Sequence, residues 1–242
     1  MKKITNLHSL LEAVKHNPER VSKILFQEGT RRPKVEEIIL WARKNRIACS
    51  FLPVKRLKMI ERNHQGAVGF LAAKKYTALE SILESTKIPF LVLLDGIEDP
   101  QNLGAIIRTA EGAGVDGIVI PERRAAALTG TVASVAAGAL EHMKVARVKN
   151  LARTMEVLKK KELWLVGAEG GEGDPWHDFD YTIPVGLVLG SEGKGLRRLV
   201  REKCDKILSI PLFGKITSLN VAAAAAIFMY EVVRQRKRIH HE

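Results

Sequence analysis

"FLVLLDGIEDPQNLGAIIRTAEGAGVDGIVIP" occupies residues 90–121. Its ends, FLVLLD and GIVIP, are short unbroken apolar runs of the kind that a strand covered on both faces requires, and the stretch between them has helical spacing. Strand, helix, strand predicts a parallel pair joined by a helical crossover. The pattern continues through MKVARV, LWLVGA, PVGLVLG and KILSIPL, separated by helical or glycine-rich stretches. Residues 90–242 are therefore expected to form an α/β domain, a parallel sheet with helices on both faces. In such sheets ligands bind outside the C-terminal strand ends, so the loops there are where chemistry belongs.

Upstream, HSLLEAV, VEEIILWARKN and VKRLKMIE have helical spacing, whereas VSKILFQE, ACSFLPV and GAVGFLAA have strand character. They predict a small α/β module over residues 1–76. TALESILESTK (77–87) reads as a helix with Thr77 as N-cap and Glu80 completing a capping box, so 77–89 is expected to be a connecting helix and linker.

The chain of 242 residues, 46% apolar, can bury a substantial core. Its formal charge of +12 is unevenly placed: residues 1–76 hold 17 Lys and Arg against 6 Asp and Glu, and residues 77–242 hold 22 against 21. A basic module beside a nearly neutral domain points to a polyanionic partner, nucleic acid first. Cys49 and Cys204 show no CxxC spacing, which argues against a disulfide framework and a zinc site. The N-terminus has no signal-peptide core, and the longest apolar run, residues 221–230, is about half of the ~20 residues a membrane span needs. A cytoplasmic protein without a membrane segment is expected.

Three loops stand out. After FLVLLD, Asn102 suits a helix cap, and Arg108 sits in an apolar helix, where it either snorkels to a surface carboxylate or acts on a ligand. LVLGSEGKGL (187–196) carries Gly190, Gly193 and Gly195 with one carboxylate, Glu192. It fits neither nucleotide-binding glycine fingerprint, and either wraps a small ligand with its backbone or makes a tight turn. SIPLFGKITSLNVAAAAA (209–226) brings Ser218 and Asn220 to the start of an alanine-rich helix, for capping or for chemistry. GGEGDPWHDFD (170–180) contains Asp174, His177 and Asp178 but lacks a recognised ligand spacing, and no metal is assigned.

Taken together, NLGAIIRTA, LVLGSEGKGL and IPLFGKITSLNVAAA resemble, in order and separation, the three motifs of the SpoU-TrmH family of RNA ribose 2′-O-methyltransferases, in the SPOUT class. The likeness covers about residues 90–237, and HQGAVGF (64–70) is similar to the family's substrate-binding domain. It implies a trefoil-knotted methyltransferase domain, S-adenosylmethionine as cofactor, a homodimer and an RNA substrate. The activity implied is methylation of a guanosine of 23S rRNA, with tRNA second; the rival from another class is a noncatalytic dimeric RNA-binding protein. By position, Leu189, Gly190, Glu192 and Gly193, with Ile210, Leu212 and Leu219, would line the cofactor pocket. Asn102, Arg108, Glu192, Ser218 and Asn220 would form the catalytic wall, with Arg108 as base or phosphate clamp. Arg31, Arg32, Lys55, His64, Gln65 and Gly66 would touch RNA. Departures are Asn6, where the family often has glycine, and Lys215 and Thr217 in a variable part of the third motif.

Overall fold

The computed structural model describes residues 3–71, 74–171 and 173–238. They divide into two compact units, one from the chain up to Lys75 together with Ala127–Ala133, the other from Tyr76–Ala126 and Ser134 onward.

The first unit holds β1 (Lys3–Ile4), α1 (Leu7–His16), β2 (Val21–Gln27), α2 (Pro33–Lys44), β3 (Ala48–Leu52), α3 (Val54–Ile60) and β4 (Ala67–Leu71). Its sheet runs β1-β4-β2-β3, with β2 parallel to β3 and antiparallel to β4. Asn6 caps α1, its side chain accepting from the amides of His8 and Ser9 at 2.9 and 3.0 Å, a task glycine could not perform. Leu10 and Val14 of α1, Ile38 of α2, and Ile24 and Phe26 of β2 share one core, the product of helical spacing meeting strand alternation.

The second unit follows with α4 (Leu79–Leu83), β5 (Phe90–Asp95), α5 (Pro100–Gly112), β6 (Gly117–Pro121), α6 (Gly130–Val135, straddling the division), α7 (Ala139–His142), β7 (Val145–Val148), α8 (Leu151–Lys159), β8 (Trp164–Ala168), β9 (Asp174–Pro175), β10 (Val185–Gly190), α9 (Arg198–Arg201), β11 (Lys206–Ser209) and α10 (Val221–Arg238). The strand order is β7-β6-β5-β10-β8-β11-β9, and every neighbouring pair is parallel. Every residue of β5 and β6 is buried, as their continuous apolar runs require. Leu91 and Leu93 pack with Leu151, Met155 and Leu158 of α8. From β5 the chain winds outward through β6 to β7, then crosses to β8, leaving a place that β10 fills later. The C-terminal ends of β5, β10 and β8 thus meet where the winding reverses, the position at which α/β sheets bind ligands.

Two expectations about caps need correction. Thr77 does not cap a helix: its amide donates to the carbonyl of Val145 at 2.8 Å, and α4 is a five-residue helix with Ala78 at its N-cap. A connection to the sheet edge has outcompeted the local capping box. Asn102 does not cap α5 either, because Asp99 does, accepting from the Gln101 amide at 3.0 Å with Pro100 at the first helical position. Asn102 is the third residue of α5, in its first turn, with its side chain left for another purpose.

Candidate active site

Above the reversal point lies a cleft of about 370 Å³, within the usual range for small-molecule sites. Leu189, Gly190, Glu192, Gly193, Ile210, Leu212 and Leu219 all line it, as does Ser218. The glycine loop between β10 and α9 makes one wall. Ser191 and Gly195 exchange backbone hydrogen bonds of 3.1 and 2.9 Å, closing the loop on itself. Gly193 and Gly195 have φ of +78° and +62°, left-handed backbone that glycine adopts without strain. Gly190 is required for space: a Cβ there would stand 2.2 Å from the carbonyl carbon of Gly195, a backbone atom that cannot swing aside.

Beside the cleft three side chains from three motifs join. Asn220 donates through Nδ2 to Oδ1 of Asn102 at 2.9 Å and to Oε1 of Glu192 at 2.5 Å. Its own Oδ1 accepts from the amides of Ala222 and Ala223 at 2.9 and 3.3 Å and so caps α10. Glu192 also takes the Val221 amide at 3.4 Å. One asparagine therefore starts α10 with its oxygen and ties α5 to the glycine loop with its nitrogen. Arg108 stands apart from this array: it lies exposed six residues beyond Asn102 on α5, about 120° around the helix, and no side chain among the described residues pairs with it.

Sequence reasoning missed two carboxylates. Asp95, the last residue of β5, is buried and bound by the Arg197 guanidinium; Glu169, just past β8, lines the cleft and accepts from Arg201 Nε at 2.8 Å. The signal was present in a charged residue closing the apolar run FLVLLD and in the arginines that follow the glycine loop.

In the first unit Arg31, Arg32 and Lys55 are exposed, and Arg32 Nη1 donates to the Gln65 carbonyl at 3.0 Å. His64 is buried, its Nδ1 accepting the Gly66 amide at 2.9 Å; burial first, then Lys58 and Arg32, hold its pKa below the usual histidine value. Of that turn only Gln65 presents a side chain outward. Burial pushes the Cys204 thiol up to about 12 and raises Cys49 as well, so neither is an activated nucleophile. Among the described residues no group of His, Cys, Asp and Glu could hold a metal ion; Asp174 pairs with Lys206 at 3.0 Å and Asp178 with His177 at 3.3 Å. No helix among them is long and apolar enough to cross a membrane.

Residues 89–230 match the profile of the SpoU rRNA Methylase family, and residues 7–77 match that of RNA 2′-O ribose methyltransferase substrate binding. A Bacillus subtilis protein, YacO, named for the TrmH family of tRNA/rRNA methyltransferases, is 42% identical over 237 residues, 96% of this chain and 95% of its own. A Staphylococcus saprophyticus protein named for the same family is 39% identical over 241 residues, 98% of this chain and 96% of its own. Among solved structures, the SpoU methyltransferase AviRb of Streptomyces viridochromogenes, crystallised with the cofactor AdoMet, superposes with a TM-score of 0.63 at 27% identity, covering 98% of this chain and 90% of its own. The A. aeolicus TrmH/SpoU tRNA modifying enzyme gives a TM-score of 0.59 at 28% identity, covering 67% of this chain and 82% of its own. With both halves matched and the three motifs joined through Asn220 beside one cleft, the chain belongs to the SpoU-TrmH family of RNA 2′-O-ribose methyltransferases.

Proposed function

We propose that this chain methylates the ribose 2′-hydroxyl of a guanosine in 23S rRNA, working as a homodimer whose C-terminal segment threads the methyltransferase domain as a trefoil knot. The carrying observation is the Asn220 amide, which links Asn102 and Glu192 at the edge of the cleft. The cleft fits S-adenosylmethionine, the cofactor of the family: Leu189, Ile210, Leu212 and Leu219 offer apolar walls to a purine, and Gly190 and Gly193 offer backbone bare of side chains. When bound, the cofactor supplies a methyl group on a sulfonium, so alignment of the attacking hydroxyl is the main demand on the protein.

The chain's residues meet that demand in three ways. Asn220 keeps Glu192 and Asn102 in one geometry, so that the polar edge of the site is organised before RNA arrives. Ser218 offers a hydroxyl in the same cleft. Arg108, whose guanidinium keeps its proton at neutral pH, acts as a clamp on the phosphate beside the target ribose and stabilises the oxygen as it loses its proton to water. Exposure of Tyr230 on α10 supports the dimer, since a large aromatic side chain, 53% exposed, is left uncovered in the single chain. Tight passage of Gly170, where a Cβ would stand 3.2 Å from the Thr217 carbonyl, supports the threading.

The test is ribose-methylation mapping of rRNA and tRNA from cells with and without the gene. Loss of one 2′-O-methylguanosine in 23S rRNA is expected. Loss in tRNA instead would move the target, and no loss in either would favour the noncatalytic RNA-binding reading.

A further inference from the structure

Asp95 ends β5 at the reversal point with its side chain fully buried (0% exposed). Burying a carboxylate is costly unless it is well paired, a cost that an apolar residue would not incur. Among the described residues one pairs it. Arg197 donates its backbone amide to Oδ2 at 2.9 Å and Nε to Oδ1 at 2.6 Å, and Nη2 also meets Oδ1. Arg197 lies two residues beyond Gly195 and is the N-cap of α9. Four residues on, Arg201 grips Glu169 past the end of β8, a pair more open to solvent and accordingly weaker.

These bonds matter because the glycine loop cannot set its own attitude. Its two Ser191–Gly195 hydrogen bonds close it upon itself, and Gly190 and Gly195 at its base carry no side chain; Leu196, which follows, anchors its exit in the core beside Val188 and Val200. Among the described residues two polar side-chain attachments set its tilt: Glu192 to Asn220 on the cleft side, and Arg197 to Asp95 on the sheet side.

We infer that Asp95 and Arg197 form a latch that positions the glycine loop, and with it Glu192, for cofactor binding. The inference rests on the methyltransferase reading. Arg197 acts through the loop and is a positioning residue.

The test uses the full chain with Arg197→Lys, Arg197→Ala and Arg201→Ala. It measures S-adenosylhomocysteine binding by calorimetry, RNA binding at one salt concentration, and deuterium uptake over residues 191–197. Arg197→Lys keeps a cation beside the buried carboxylate and loses the two-nitrogen grip. It should weaken cofactor-product binding about tenfold, the scale of one charge-assisted hydrogen bond. Uptake in the loop should quicken, while RNA affinity stays within about twofold. Arg197→Ala should do more, and Arg201→Ala less. A merely structural pair would lower the thermal midpoint and leave binding and loop uptake as in the wild type; that result in Arg197→Lys overturns the latch even if Arg197→Ala fails to fold. If the wild type binds no S-adenosylhomocysteine, the cofactor reading fails by itself and loop uptake alone decides the latch.

Discussion

At Asn220 one side chain divides its work between oxygen and nitrogen, which makes the two tasks separable. Aspartate caps a helix as well as asparagine does, so Asn220→Asp keeps the α10 cap but replaces the donor with a second carboxylate beside Glu192. Two adjacent carboxylates raise the pKa of the pair in the folded state above its unfolded value. The sign follows: the pair is accommodated below about pH 4 and destabilises as pH rises through the raised folded value. The thermal midpoint of Asn220→Asp should match the wild type near pH 4 and fall behind toward neutrality, with methyl transfer lost at pH 7. A gap that is constant with pH would contradict the Glu192 contact. At Arg108 the expectation is kinetic. Both Arg108→Lys and Arg108→Ala should slow single-turnover methyl transfer by roughly 10²–10³-fold, since lysine keeps the charge without the planar fork. Cofactor binding should survive, because other loops build the cleft. A rate near wild type in a folded Arg108→Ala would make Arg108 a surface residue only.

The turn that leads from α3 into β4 depends on a neutral histidine. His64 can accept the Gly66 amide at Nδ1 only while that nitrogen carries no proton. Its folded pKa is lowered, by burial first and then by Lys58 and Arg32. The stability this contributes is present above the unfolded value of about 6.5 and is lost as pH falls below it. The protection factors of the β4 amides, which take out the intrinsic slowing of exchange at lower pH, should therefore drop between pH 7.5 and 5.5. In His64→Asn, whose amide oxygen can accept the same bond without titrating, the drop should vanish. An equal drop in both proteins would remove His64 as the cause.

Across the whole molecule charge and cleft are segregated: the excess of 17 cationic over 6 anionic side chains lies in residues 1–76, and every cleft-lining residue belongs to the other unit. RNA affinity and cofactor affinity should thus respond to different substitutions. Replacing Arg31 and Arg32 together by alanine should reduce the slope of log affinity for single-stranded RNA against log salt by about 1.4, two phosphate contacts at ~0.7 each. S-adenosylhomocysteine binding should not change. An unaltered slope would mean that these arginines are only solvated, although Arg32 would still brace the Gln65 carbonyl.

Much of this protein was legible along the chain. Continuous apolar runs such as FLVLLD and GIVIP can be satisfied only by burial on both faces, so the parallel sheet followed from them, and left-handed turns and close backbone passage demand glycine, so the cleft loop was visible at Gly190, Gly193 and Gly195. The partners of the polar groups were not legible. Asn102 has the spacing of a cap, yet it meets Asn220 from 118 residues away, and nothing local links Asp95 to Arg197, 102 residues apart. Local spacing reports what a residue can do for its own helix or strand. Which distant group it meets is decided by the order of strands in the sheet, and here the insertion of β10 between β5 and β8 brings three loops together.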